Sequence, residues 1–229
     1  MNTSINKVKA LSIWIFLVPF IAVNVCLYIT TNLHFLIDQP YRLFNTFPYF
    51  DGGTSISRTA RYFPNYLIFK PAMFLTSYLL IKYWLLNKDI INSFKQNHKY
   101  IKKFLFFGIA SAVSLILHSI FLGITFDIAI YKFFRRVVML SFIIFEVVAQ
   151  TYLVLSLYSV KDKINHLIKP VILKLKIILV CTLIIVAIVS IPIVSLPGNK
   201  FFKHALEWDF FVGVISFYFL SFFMWKKDN

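Results

Sequence analysis

ALSIWIFLVPFIAVNVCLYIT, Ala10–Thr30, is an apolar run without one charged side chain. At 1.5 Å of rise per residue, about twenty such residues cross a hydrocarbon core of about 30 Å. Lipid offers no partner to exposed backbone N–H and C=O groups, so the run is predicted to be helical. Lys7 and Lys9 precede it, as in a signal peptide. The apolar stretch is too long for that, and no small-residue cleavage site follows, so it reads as a retained first span.

Comparable runs recur outward from this one. Spans are predicted at about residues 10–30, 66–86, 104–126, 135–159, 177–196 and 207–225. The expected fold class is all-α. The chain reads as a polytopic membrane protein forming one membrane domain, 1–229, a six-helix transmembrane bundle with an ordered non-cytosolic loop between spans one and two. Composition agrees: 59% of residues are hydrophobic, 19% aromatic and only 14% charged, against about a quarter charged in soluble domains. The net charge of +15 comes from Lys and Arg in the connecting segments, where topology and anionic lipids account for it. No zinc spacing or RNA-binding signature accompanies the charge, which argues against nucleic acid as a partner. Cys26 and Cys181 lie in apolar runs without ligand spacing and are expected to be buried structural thiols.

Lysine and arginine are more abundant in the N-terminus, NKDIINSFKQNHKYIKK, KDKINHLIKPVILKLK and the C-terminal tail than in the other three connections. The positive-inside rule then puts both termini in the cytosol. The long loop, residues 31–65, falls on the opposite side. Within it, FPYFDGGTSISRTARYFPN, Phe47–Asn65, is the most polar stretch of the chain. Asp51, Gly52 and Gly53 supply turn chemistry. Thr54, Ser55 and Ser57 supply capping hydroxyls. Arg58 and Arg61, three apart, would share a face on one helical turn. That combination suits an anionic headgroup, which arginine binds bidentately. A loop folded as a lid, its arginines paired with Asp38, Asp51 or lipid, accounts for the same residues.

Ionisable groups at membrane depth are few and each is informative. His118 in span three and Glu146 in span four fall at similar depth, so a direct hydrogen bond between them is expected. Gln150 lies one turn below Glu146, and Ser111 and Ser114 near the His118 face. The set reads as an interhelical polar clasp, with His118 and Glu146 as the candidate acid–base pair should the protein be catalytic. Ser114 or Ser119 is then the available nucleophile, although both share a helix with His118. A second cluster, Asp127, Lys132, Arg135 and Arg136, joins spans three and four. His204, Glu207 and Asp209 open span six. No tight ligand spacing marks a metal site; a salt bridge from Glu207 or Asp127 to the loop arginines is the simpler expectation. No G-x-S-x-G, H-E-x-x-H or Walker loop occurs, and no cofactor is called for.

Three segments resemble one family, the six-span superfamily of damage-regulated autophagy modulators (DRAM) and Golgi proteins that remodel GPI-anchor lipids (Frag/Sfk type). In FPYFDGGTSISRTARYFPNYLIFKPAMFLTSYLLIKYW, Pro48, Gly53, Pro64, Ile68 and Phe69 stand where the family places its motif residues. FDIAIYKFFRRVVMLSFIIFEVVAQTYL resembles the family's third-to-fourth-span connection. ALEWDFFVGVISFYFL carries Glu207 and Trp208, similar to the Glu-Trp that opens the last span. Many members carry a histidine before span four where this chain has Tyr131 and Lys132, so no role of that histidine carries over. The resemblance implies lipid remodelling, lipid asymmetry or autophagy, without a transferable catalytic mechanism.

The leading expectation is a non-catalytic, lipid-interacting membrane protein, a helper in lipid remodelling or distribution. An anionic headgroup would sit under the first loop, among Asp51, Gly52, Gly53, Ser55, Ser57, Arg58, Arg61, Asp127, Arg135, Arg136, Glu207 and Trp208. The alternative is a membrane-embedded lipid hydrolase or acyl-transfer enzyme. A small-solute or proton transporter comes third, since Pro19, Pro71 and Pro192 interrupt spans without an internal repeat.

Overall fold

A computed structural model describes residues 2–95, 99–124 and 128–226, without the side chains of Asn2, Pro40 and Lys132. Helix α1 covers Asn2–Asn32. The loop after it holds two 3₁₀ turns, His34–Leu36 and Gln39–Tyr41, then two single-turn helices, α2 (Pro48–Asp51) and α3 (Ile56–Thr59). Long helices α4 (Asn65–Phe94), α5 (Ile101–Phe121) and α6 (Ala129–Ser159) follow. The short α7 (Lys161–Ile164) leads to α8 (Pro170–Ser195) and α9 (Lys200–Met224). Among the described residues, extended pairing is limited to an isolated bridge between Ile168 and Trp225.

Five helices, α1, α5, α6, α8 and α9, are long and apolar enough to cross a membrane. The chain is therefore all-α, with the character of an integral, multi-pass membrane protein. Helix α4 has the length but is diluted by Lys70, Lys82, Lys88 and Asp89. It packs between α1 and α5, where Met73, Leu80, Tyr83, Trp84 and Asn87 are buried. A helix shielded by protein on two sides need not be apolar all round.

The long helices form a closed circuit: α1 on α4, α4 on α5, α5 on α6, α6 on α8, α8 on α9 and α9 back on α1. The N-terminal part of α1 and the end of α9 meet, with Lys9 Nζ donating to Trp225 O at 3.3 Å. Nearby, Lys169 N donates to Met224 O (2.8 Å) and Lys226 N to Leu167 O (2.9 Å). This is the terminal end of the bundle. The opposite, loop end carries α2 and α3, both packed on α9.

Several helices begin earlier than expected. Helix α8 starts at Pro170, so Lys176 lies within it and is wholly buried; it is not part of a solvated basic loop. Glu207 sits two turns inside α9 and does not open it. Arg135 and Arg136 are already helical, since α6 starts at Ala129. Cys26 is buried, but Cys181 is exposed on α8, because that helix turns most of its surface outward.

Small residues set the α4–α5 distance, as is usual where packing rather than water drives helix association. The Trp84 ring lies over Gly108, where an added Cβ would meet ring atoms at 2.5 Å. Trp84 is wholly buried and cannot swing into solvent. Gly108→Ala is expected to destabilise the bundle by about 1–3 kcal/mol, read as a lowered thermal midpoint in detergent.

Candidate functional site

The loop end is built around Asp51. Its carboxylate accepts from the amides of Phe47 and Gly53, both at 2.7 Å, and from Thr46 Oγ1 at 2.9 Å. One aspartate thus winds residues 46–53 into a compact turn. Gly52 ends α2 at φ 60 in the left-handed region, and a Cβ there would lie 1.8 Å from the Phe201 carbonyl oxygen. Backbone can touch α9 at this point only if the residue is glycine. Ser55 caps α3, its hydroxyl accepting from Arg58 N at 3.2 Å.

Three side chains of α9, spaced along one face, hold this turn down. His204 Nδ1 is 3.0 Å from Gly52 O. Trp208 Nε1 donates to Thr54 O at 2.9 Å and is fully buried. The backbone N–H groups of Ile56 and Ser57 are directed at the Glu207 carboxyl. Tyr49 packs edge-on against Trp208 and donates to Asn24 Oδ1 at 3.1 Å, adding α1 to the clamp. On the other flank, buried Asn65 donates to Cys26 O (3.0 Å), Thr30 Oγ1 (2.7 Å) and Thr59 O (2.7 Å). Sequence reading passed over Asn65 and His204 as binding determinants of the loop; an asparagine immediately after a proline at a helix start was the available signal for the first.

Beneath this cap lies a cavity of about 90 Å³, lined by α1, α3, α4, α5, α6 and α9. Its walls are apolar: Pro19, Val23, Phe69, Met73, Leu115, Met139, Phe142, Phe210 and Val214 among them. Ser57 and Glu207 stand at the loop end, His118 on one wall, Glu146 and Tyr218 toward the middle of the bundle. A dry cavity of about 150 Å³ takes a benzene molecule; this smaller space favours a thin chain over a ring.

His118 and Glu146 share the cavity, but no hydrogen bond joins them among the described residues. Glu146 is satisfied elsewhere: Ser111 Oγ donates to it at 2.5 Å, Gln150 Nε2 at 3.1 Å, and Tyr218 through its hydroxyl. Gln150 also donates to Val214 O at 3.1 Å, tying α6 to α9. Equal depth was not enough, because Ser111, and not His118, sits on the face of α5 turned to Glu146. Ser114 and Ser119 are buried, and Ser119 donates to Leu115 O in its own helix. Among the described residues no serine hydroxyl is hydrogen-bonded to a histidine, so the expected pairing of His118 with Ser114 or Ser119 is not assembled.

His118 instead feels the charges of Arg61 and Arg135, which also feel each other. Arg61 Nε is buried with no hydrogen-bond partner among the described residues. Arg135 is half-buried and Arg136 exposed. The two loop arginines do not share a face: α3 ends at Thr59, Arg58 lies within reach of His204, and Arg61 turns to α5 and α6. No ion pair ties Arg58, Arg61, Arg135 or Arg136 to a carboxylate among the described residues. Asp51 is committed to its own turn, Glu207 faces the α3 amides, and neither forms the expected salt bridge among the described residues. Asp127 lies outside the described residues. No group of three His, Cys, Asp or Glu side chains gathers with metal-ligand geometry among the described residues.

No family model matches the chain, and no curated protein or solved structure is significantly similar to it.

Slight desolvation raises the Asp51 pKa, but the bonds from Gly53, Phe47 and Thr46 outweigh it and the net direction is down from the ordinary aspartate value. A lowered folded-state pKa means the carboxylate supports the turn fully above the ordinary value, about 3.9, and loses that support as pH falls through the lower folded value. Hydrogen exchange in the peptide covering residues 44–54, corrected for intrinsic rates, should therefore stay protected down to about pH 4 and rise below it. Asp51→Asn should be less protected at neutral pH and lose this acid dependence. Independently, Trp208→Phe removes the bond to Thr54 and is expected to cost about 1–3 kcal/mol in thermal unfolding.

Proposed function

We propose that the protein is a lipid-binding membrane protein whose six long helices all span the bilayer, α4 included, with both termini in the cytosol. The excess of Lys and Arg in the terminal-end connections supports this orientation. An anionic amphiphile is bound at the loop end, its headgroup between Arg61 and Arg135 and one chain entering the cavity under the cap. The observation that carries the reading is the pairing of an apolar intrabundle cavity with two arginines that have no carboxylate partner among the described residues. Neither arginine lines the cavity, but His118, which does, feels the charge of both, and half-buried arginines without a carboxylate among the described residues favour a bound anion. His118 stands between them and the cavity and is placed to donate a further hydrogen bond to the headgroup. Met139, Phe142 and Phe211 line the cavity yet are only half-buried, which supports lateral entry from the lipid phase between α6 and α9.

In this reading the protein assists lipid remodelling or distribution by holding a lipid, without cleaving it. Kinship with the DRAM-type superfamily belongs to the same proposal. It is supported by the meeting of its motif residues: Pro48 and Gly53 flank the turn that Trp208 and Glu207 hold in place.

The test is native mass spectrometry of the purified chain with defined lipids. A charge-assisted hydrogen bond is worth about 1.5–3 kcal/mol, or roughly ten- to a hundredfold in affinity. Arg61→Ala with Arg135→Ala should lower retention of anionic phospholipid by at least that factor and leave zwitterionic lipid little changed. Val214→Trp, which fills the cavity, should weaken both. Equal retention of anionic lipid by wild type and the double arginine variant would overturn the headgroup site.

A further inference from the structure

Lys176 has no exposed surface, although it sits in a helix apolar enough to span a membrane. Its Nζ donates to Ser221 Oγ at 2.7 Å and lies 3.9 Å from the centroid of the Phe217 ring. Ser221 Oγ is in turn 3.1 Å from the Tyr83 hydroxyl. The Tyr83 ring meets the Tyr218 ring edge-on, centroids 4.9 Å apart, and the Tyr218 hydroxyl donates to Glu146. Between the buried amine near the terminal end and the buried carboxyl at the cavity floor stand three hydroxyl groups from two helices, hydrogen-bonded in sequence except between Tyr83 and Tyr218, whose rings alone are in contact.

A lone charge at this depth costs several kcal/mol. Charging only one of the two groups is therefore disfavoured. Two states of the pair avoid it: ammonium with carboxylate, and amine with carboxylic acid. They differ by one proton moved along the hydroxyls. A polar clasp of serines, tyrosines and amides would fix the helices as well without any ionisable group; the placement of an amine and a carboxyl at opposite ends is what a clasp does not require.

We propose that Lys176, Ser221, Tyr83, Tyr218 and Glu146 form a proton-transfer path between the terminal end of the bundle and the floor of the cavity. In the forward step an N–H bond of the Lys176 ammonium breaks and its proton passes to Ser221 Oγ. The Ser221 hydroxyl, which rests on Phe217 O at 2.9 Å, turns to give its own proton to Tyr83, and the Tyr83 proton goes to the Tyr218–Glu146 pair. The last transfer, the one not closed by a direct bond, proceeds through a turn of the Tyr83 hydroxyl or one exchanging water molecule. Glu146 ends protonated and Lys176 neutral; because Lys176 has no exposed surface, its return proton arrives from water only when the terminal end opens locally, and Glu146 releases one into the cavity. The reverse sequence runs equally.

The groups facing the path come from every helix around it. Helix α4 contributes Tyr83 and Asn87, which donates to Tyr83 O at 2.8 Å. Helix α5 contributes Ser111, α6 Glu146 and Gln150, α8 Lys176, and α9 Tyr218 and Ser221. From α1, Lys9 lies over Phe222 at 5.3 Å, one residue beyond Ser221. The charged or titratable neighbours that act on the two phenols are Glu146 and, for Tyr218, Tyr83. His118 faces the cavity from the loop side. None of these contacts involves the arginines of the proposed headgroup site, so the path stands or falls apart from it.

The experiment uses the full chain in liposomes with a pH dye inside and a potassium gradient clamped by valinomycin. Wild type should acidify the lumen faster than protein-free vesicles. Tyr83→Phe, Lys176→Met and Glu146→Gln should each slow that flux by about a hundredfold, or to the level of empty vesicles. Cys181→Ser, on the exposed face of α8, should match wild type. Tyr83→Phe keeps the ring and its packing, so a correctly folded variant is at hand even if the charge changes misfold. Wild-type flux no greater than that of empty vesicles, or a folded Tyr83→Phe as fast as wild type, would overturn the path.

Discussion

The Trp208 indole bound to the Thr54 carbonyl is the contact on which the loop end depends. It brings a polar, glycine-bearing segment down onto an apolar helix and excludes water from the join. His204 and Glu207 act on the same strip of backbone, one turn before and one residue before Trp208. Because Gly52 lies against Phe201, the segment cannot ride higher on α9. The cap covers one end of the cavity and turns Arg61 toward α5 and α6. Without it, Arg61 would be an ordinary solvated loop residue.

The interior shows the opposite economy. Where no water is available, a buried polar group needs a protein partner; the bundle supplies many of them in chains rather than pairs, while Trp84 Nε1 and Trp225 Nε1 are left without one among the described residues. Asn65 serves α1 and α3 at once, Gln150 serves α6 and α9, and Glu146 draws donors from three helices. These shared partners fix the helical circuit more sharply than aliphatic contacts do, since apolar side chains are as comfortable against lipid as against each other. Helix α8 illustrates the contrast: mostly aliphatic and turned outward, it is held in part through Lys176 and the Leu183 contact with Gly213.

Much of this was legible in the chain. Apolar runs of bilayer length announced long helices. Asp51-Gly52-Gly53 announced a turn, Ser55 a cap, and Glu146 with Gln150 a polar patch inside the bundle. Other features were not legible for specific reasons. The helices extend past the apolar runs, since charged residues continue a helix readily once it has begun; that hid Lys176 among apparent loop lysines. The His118–Glu146 pairing was inferred from depth alone, and depth says nothing about rotation around the helix axis. Arg58 and Arg61 were assigned one face because a spacing of three implies it within a helix, but the helix stops at Thr59.

By itself the sequence determined the composition of each layer: which segments tolerate lipid, which carry turn chemistry, and which polar groups must find partners inside. Those are local properties, set by side-chain chemistry and the one-dimensional length of each run. Which partners were found was decided only in three dimensions. Trp208 reaches Thr54, Lys176 reaches Ser221, and Arg61 comes beside Arg135 because six helices close into a circuit with particular rotations. Those rotations follow from close approaches such as Trp84 on Gly108, a steric fit between segments that no single stretch of the chain contains.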